Sequence, residues 1–317
     1  MAVGILRSQL IFGEKAFSRG LVVMRPVNVE IYACGLNSQG QCGRRIIDDE
    51  DYSLASTGAT PISLNLQGDR DKVRQVVCGL DHTAILTENG HVFMFGCGTD
   101  GQLGREGKYD RETTWQPARV RGQLENRKIV KISSAADSIL ALSSDGKVFG
   151  WGNNEYQQIS TDSAPSIGQP RPLRLLPASS PDRIVDIAAG GSACAALTST
   201  GTVLVWGYGI IGHGPNVLDT EGRVVHLPAP LFSQTLSTYG SRNTSKVVSI
   251  HAGLMHFAAV TNSGELYMWG KNRYSLLGLD NREKDQYFPL KVNGLYGKVV
   301  QVALGYDHTL ALTTEMV

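Results

Sequence analysis

Two kinds of short apolar run alternate along this chain. One kind ends in an aromatic or small residue followed by glycine: Ile31–Gly35, Val92–Gly96, Val148–Gly152, Val203–Gly207 and Leu266–Gly270. The closing glycines are 61, 56, 55 and 63 residues apart. The other kind is led by glycine and runs Gly79–Thr87, Gly190–Thr198, Gly253–Thr261 and Gly305–Thr313, with Ala135 heading the remaining copy. Asn89-Gly90, Asp145-Gly146, Thr200-Gly201 or Ser263-Gly264 joins one kind to the next. A polar residue plus glycine between apolar runs is a tight hairpin turn, because its central positions need positive φ. Val, Phe, Tyr and Trp in the second run suit a pleated strand. No window outside the N-terminus sustains an apolar period of 3.6, so helices are not expected. A repeated antiparallel hairpin of this length predicts an all-β protein, a β-propeller of five recognisable blades.

The strand pattern also bears on closure. Residues 29–34 read as the second strand of a hairpin with no first strand ahead, and 308–313 as a first strand with no second behind. Two outcomes follow. The two orphans pair and close a five-blade ring, or the repeats keep a wider curvature and form an open arc. The open arc is the expectation, because blade packing is set between neighbouring repeats.

Composition removes several functions. Thirty basic and 29 acidic side chains leave a net charge of +1, without the basic excess of a dedicated nucleic-acid binder. Five cysteines show no Cys-x-x-Cys, and no metal-ligand spacing is visible. No P-loop, G-x-S-x-G or H-E-x-x-H occurs, so neither a catalytic constellation nor a cofactor is expected. Gly96-Cys-Gly98-Thr-Asp-Gly101 and Gly207-Tyr-Gly209-Ile-Ile-Gly212 fit G-x-G-x-x-G, but both fall at one repeat position and open no helix. They read as turns after a strand. Asn243-Thr244-Ser245 matches a glycosylation acceptor whose chemistry needs a secretory route. Residues 1–27 carry Arg7, Lys15, Arg19 and Arg25 against Glu14 alone, with Leu6, Leu10 and Phe17 near one face of a helix. A basic, acid-poor, amphipathic leader predicts mitochondrial import, with the propeller occupying 28–317. No apolar run is long enough to span a bilayer.

Gly79-Leu-Asp-His-Thr83, combined with Trp151-Gly-Asn-Asn154 and Trp269-Gly-Lys-Asn272, resembles the repeat of the regulator of chromosome condensation (RCC) family. Gly40-Gln-Cys-Gly43 and Gly101-Gln-Leu-Gly104 match that repeat's tail. Val148–Tyr156, Val205–Asn216 and Asp285–Pro289 are similar to a mitochondrial, guanine-exchange-factor-like branch of the family. The resemblance implies a propeller of seven blades, of which the first two are wanting here. It implies a mitochondrial protein, in the matrix or peripheral at the inner membrane, that regulates a GTPase by binding. In the family's nuclear exchange factor, acidic and histidine side chains on the Gly-x-Asp-His loop meet the GTPase. The matching positions are Asp81, His82, Asp137, His256, Asp307 and His308. Such residues would favour a nucleotide-free GTPase by differential affinity, without covalent chemistry.

The histidines have a plainer reading. A histidine recurring at one repeat position is usually a hydrogen-bonder between a blade and its neighbour, and Ser138 and Ala193 replace it in two copies. Ribosomal RNA or ribosome-assembly proteins in mitochondria are an alternative partner. Two basic stretches bear on it: Lys271-Asn-Arg273-Tyr274, and Arg171-Pro-Leu-Arg174 in a proline-rich loop over 162–183. Interspersed acids (Glu155, Asp162, Asp280 and Glu283) favour reading each as a solvated loop. A scaffold with neither activity is the third reading.

Overall fold

The structure is a computed structural model that describes residues 3–5, 31–45, 60–62, 72–105, 112–159, 161, 164–233, 245–280 and 284–314. Among the described residues, all regular structure is antiparallel β apart from single 3-10 turns at Gly122–Leu124, Ala229–Phe232 and Arg273–Ser275. Six sheets follow one another along these residues. The first holds β1 (Val3–Ile5), β2 (Tyr32–Cys34) and β3 (Thr60–Pro61). The second is β4 (Val73–Cys78), β5 (His82–Thr87), β6 (Val92–Gly96) and β7 (Thr114–Arg119). The third is β8 (Ile129–Ser134), β9 (Ser138–Ser143), β10 (Val148–Asn153) and β11 (Ser166–Leu173). The fourth is β12 (Ile184–Ala189), β13 (Ala193–Thr198), β14 (Val203–Gly207) and β15 (Val225–Leu227). The fifth is β16 (Val247–Ala252), β17 (His256–Thr261), β18 (Leu266–Gly270) and β19 (Gln286–Lys291). The sixth is β20 (Val299–Leu304) and β21 (Thr309–Thr313).

The expected hairpins are the middle pairs of these sheets. Outer strands flank them, so the five repeats become four complete four-stranded blades and two partial ones. The middle strands are buried on both faces, which is why they read as unbroken apolar runs without period-2 alternation. One face packs on the preceding sheet and the other on the next. Ala84, Leu86 and Met94 of the second sheet share a core with Ile129, Ile132 and Trp151 of the third. Ala195 and Val205 of the fourth do the same with Ile250, Phe257 and Trp269 of the fifth.

The first strands of successive sheets converge, and those of the second to sixth sheets each carry a bulge after the first residue, as between Val73 and Gln75 or Ile184 and Asp186. The residue after the bulge stitches sheets together. Gln75 donates from Nε2 to Ile132 O at 2.8 Å and accepts from Ile132 N at 3.0 Å. Asp186 accepts from Ile187 N at 2.9 Å and Ile250 N at 3.0 Å, and pairs with Lys131. One buried carboxylate thus ties the third, fourth and fifth sheets.

Two expectations change and one holds. A strand does precede β2 in its sheet: Val3–Ile5 pairs with Tyr32–Cys34 in register Val3 to Cys34, and Thr60–Pro61 takes the other side. Val29, and the rest of the 1–27 leader beyond Val3–Ile5, lie outside the described residues. The described sheets do not close. Among the described strands β21 pairs with β20 alone, as the expected open arc requires, and Tyr32–Cys34 does not pair with Thr309–Thr313. Finally, the proline-rich stretch is not simply a loop. Pro170, Arg171 and Pro172 lie in β11, an edge strand where prolines need not donate to a ladder.

Candidate functional site

Strand direction separates the connections. Loops between first and second strands, and between third and fourth, leave one edge of the sheets, while the polar-glycine hairpin turns leave the other. The first edge gathers the two families of candidate residue that the sequence kept apart. Asp81, Asp137, Asp307 and their histidine neighbours come from its first loops. Lys271, Arg273 and Tyr274 come from a second loop.

The glycines ending the third strands make this edge possible. Gly207 has φ of +102°, and a Cβ there would stand 2.4 Å from Ser192 O. Gly152 repeats the geometry at +99°, 2.1 Å from Asp137 O. The backbone therefore folds directly against the neighbouring loop, and residues such as Asp137 are set by main-chain contact. Gly96 is held in the same way, at +110° and 2.4 Å from Asp81 O, with no helix behind it. The G-x-G-x-x-G matches are turns.

Each aspartate is steadied by the sheet before it. Gln41 Nε2 donates to Asp81 Oδ1, and Gln102 Nε2 to Asp137 Oδ1, both at 3.3 Å. These are the glutamines of the Gly-Gln-x-Gly tails. Their backbones serve the same junction: Gln41 O accepts from Thr83 Oγ1 and Gln102 O from Trp151 Nε1, both at 2.8 Å. Burial pushes the Asp137 carboxyl up from the usual range, the Gln102 bond opposes this, and the charges of Asp100 and Asp81 add to the rise. Asp307 instead receives Arg273 Nε at 3.0 Å.

The histidines divide. His82 and His256 are 1% exposed, so neither imidazole faces a partner. His82 Nε2 lies 3.0 Å from Ser134 Oγ in the next sheet, and His256 Nε2 lies 3.5 Å from Thr309 Oγ1. Both are the inter-sheet tie of the plainer reading. Burial lowers each pKa to about 4. His308 belongs to the sixth sheet, with no further described sheet beyond it, and is exposed.

The basic candidates also divide. Arg171 sits opposite Gly150 in β11 on the outer side of the third sheet. Arg174 lies just past that strand, at the end away from the loop edge, beside a hollow of about 240 Å³ with Gln157, Thr161 and Pro172. Neither approaches Lys271 or Arg273, so the two basic stretches do not form one RNA surface. Lys271 Nζ pairs with Asp285 at 2.8 Å, which raises its pKa. The Arg273 guanidinium lies 5.2 Å over the Tyr274 ring and 5.4 Å over Tyr306, besides its pair with Asp307.

Sequence reasoning missed an aromatic band on the same edge. Tyr156 and Tyr208, from adjacent sheets, stack with ring centroids 5.1 Å apart and planes 19° apart. Met255 and Tyr306 continue it. The available signal was positional, since Tyr156 and Tyr274 both stand four residues beyond a Trp-Gly glycine. Among the described residues no group of three or more His, Cys, Asp or Glu is placed to hold a metal, and no helix is long and apolar enough to cross a membrane.

Comparison with known proteins places this geometry. A mouse protein named RCC1-like G exchanging factor-like protein is 41% identical over 290 residues, covering 90% of this chain and 59% of its own length. The chain therefore spans under two thirds of that relative. The crystal structure of human WBSCR16 superposes with a TM-score of 0.80 at 38% identity, covering 90% of this chain and 67% of that one. Yeast Prp20p, studied for its binding to Gsp1p and histones, shares the fold with a TM-score of 0.66 at 24% identity, over 89% and 64% of the two chains. The RCC1-like domain matches residues 30–316, and this chain belongs to that family.

Proposed function

We propose that this chain is a binding protein that regulates a GTPase through the loop edge bearing Asp81, Asp137 and Asp307, without covalent chemistry. The observation that carries this reading is the common placement of the three aspartates, in a chain 41% identical to a protein named for G exchange. The Asp81 and Asp137 loops are held by main-chain packing against Gly96 and Gly152 and by a glutamine from the neighbouring sheet, so these two offer a prearranged acidic rim, while Asp307 is paired with Arg273. A rim of this kind suits a basic protein surface and discriminates nucleotide states only if it binds one better than another. The finer reading is a mitochondrial site of action, in the matrix or peripheral at the inner membrane. It is supported by the basic, acid-poor residues 1–27. The ribosome-associated alternative has less behind it, because Lys271 and Arg273 are each paired with an acid and Arg171 and Arg174 lie elsewhere.

The test is nucleotide release. A panel of purified mitochondrial GTPases is loaded with fluorescent GDP, and release is followed with and without this chain. One GTPase should release faster, and Asp81→Ala with Asp137→Ala should slow it. No acceleration and no binding across the panel would defeat the reading. Fusing residues 1–27 to a fluorescent protein tests location. Import should occur, and should be lost when Arg7, Lys15 and Arg19 are changed to Glu.

A further inference from the structure

Where the fourth, fifth and sixth sheets meet, the loop edge holds two neighbouring hollows with a shared floor of Leu254, Met255 and Lys271. The smaller, about 100 Å³, is walled by Ala193, Tyr208, Ile210 and Phe257. The larger, about 420 Å³, is walled by Arg273, Leu276, Tyr306 and Asp307. We propose that this groove receives a segment of a protein partner through two large apolar side chains, one in each hollow. The proposal rests on the reading that the loop edge meets a protein, and it names where and with what chemistry.

Three observations support it. First, the apolar residues are not demanded by the repeat. The position of Met255 is aspartate in three other copies, Asp81, Asp137 and Asp307, and serine in the fourth, Ser192. The position of Tyr208 is Leu36, Cys97, Asn153 and Lys271 in the other copies, so its character varies from repeat to repeat. The scaffold tolerates polar groups there, yet Met255 is 57% and Tyr208 44% exposed. Second, the groove is rimmed by Tyr, Met and Arg, residue types enriched where protein interfaces concentrate their affinity. Tyr156 stacked on Tyr208 and Arg273 held between Tyr274 and Tyr306 keep that rim ordered before binding. Third, its charges are internally closed. Lys271 pairs with Asp285 and Arg273 with Asp307, so a phosphate backbone finds no spare cation in this rim. A charge-balanced groove, its floor formed by Leu254 and Met255 beside the paired Lys271, favours apolar side chains over a polyanion.

Panning a phage-displayed library of random linear peptides on the intact chain tests this without any GTPase. Selected peptides are resynthesised and titrated by fluorescence anisotropy against wild type, Met255→Glu, Tyr208→Glu and, as a control on the opposite edge, Tyr296→Glu. Both groove residues are surface-exposed, and unchanged thermal midpoints confirm that the variants fold. The selected peptides should share two large apolar residues and lose affinity by at least ~10-fold on each groove variant, with Tyr296→Glu at wild-type affinity. Failure to enrich any peptide, or equal binding to all four proteins, would overturn the proposal. So would a poly-uridine RNA that binds wild type and is lost with Met255→Glu, since it would transfer the groove to nucleic acid. Groove-dependent peptides with no nucleotide release from any GTPase would remove the exchange reading alone. Release that persists in both groove variants, with no groove-dependent peptide, would remove the groove alone.

Discussion

The Nε2 of His82 lies 3.0 Å from the hydroxyl oxygen of Ser134, across the boundary between the second and third sheets. Ser134 already donates its proton to Ser138 O at 3.0 Å, so it accepts here and the imidazole donates from Nε2. The same ring fills the space over Gly79, where a Cβ would stand 2.0 Å from its Cε1. Gly79, His82 and Ser134 are therefore one unit; of the two copies without a ring, one has Ala135 with Ser138 and the other keeps Gly190 with Ala193. His82 Nδ1 has no partner, so Ser134→Ala leaves both ring nitrogens buried and unpaired. The expected cost is about 1–3 kcal/mol, read from urea unfolding at neutral pH.

Acid should weaken the fold through its buried histidines. Burial lowers His82 to about 4, burial then Lys131 lowers His251 to about 4, and burial then His308 lowers His256 to about 4. Each ordinarily titrates near 6.5, so between these values the unfolded chain takes protons that the folded chain refuses. The stabilisation is complete above pH 6.5 and falls as pH drops towards 4, by about 1.4 kcal/mol per unit for each group. Urea midpoints should decline steadily from pH 7 to pH 5, and His82→Gln should make the decline shallower. A flat profile would contradict the burial of these rings.

Two glycines with positive φ should respond differently to alanine. Gly207→Ala meets Ser192 O at 2.4 Å and Ala193 Cα at 2.8 Å, so the neighbouring loop must move. Gly294, at φ +77°, has nothing within 4 Å. Its replacement carries only backbone strain, about 1 kcal/mol. Thermal melts should show Gly207→Ala losing clearly more, and equal losses would show that the close approach is unimportant.

Asp186 should be among the most sensitive polar positions. Asp186→Ala strands Lys131 and leaves Ile250 N without its acceptor, an expected loss of about 3–5 kcal/mol. Asp186→Asn should lose less, since one side-chain oxygen remains. Lys131→Met in the Asp186→Ala background should recover part of the loss, because the unpaired cation is gone. Additive effects in that double-mutant cycle would argue against the pair.

The last sheet should govern solubility. Leu310 and Leu312 are 66% and 59% exposed, while Ala84 and Leu86, their counterparts in the second sheet, are fully buried. Among the described strands β21 pairs on one side only, and an exposed apolar strand of this kind invites association. Leu310→Ser with Leu312→Ser should reduce self-association in sedimentation experiments and leave the thermal midpoint near wild type.

Most of the blade was legible in the chain itself. Strict repetition of apolar runs around polar-glycine turns marks the middle hairpin, because those turns need positive φ and those runs are buried on both faces. The outer strands were not legible. β11 contains two prolines and β15 is only three residues long, so neither carries a periodic apolar signal. The aspartate loops could be found from their repeat position, but the histidines' burial could not. Whether His82 faces a partner or Ser134 depends on a strand 52 residues away. Met255, Tyr208 and Tyr306 are likewise scattered in sequence. They form a groove only because sheet packing sets three loops side by side, a distance that local propensity does not encode. Closure was also beyond the repeat pattern, since it depends on the angle at which each sheet packs on the next.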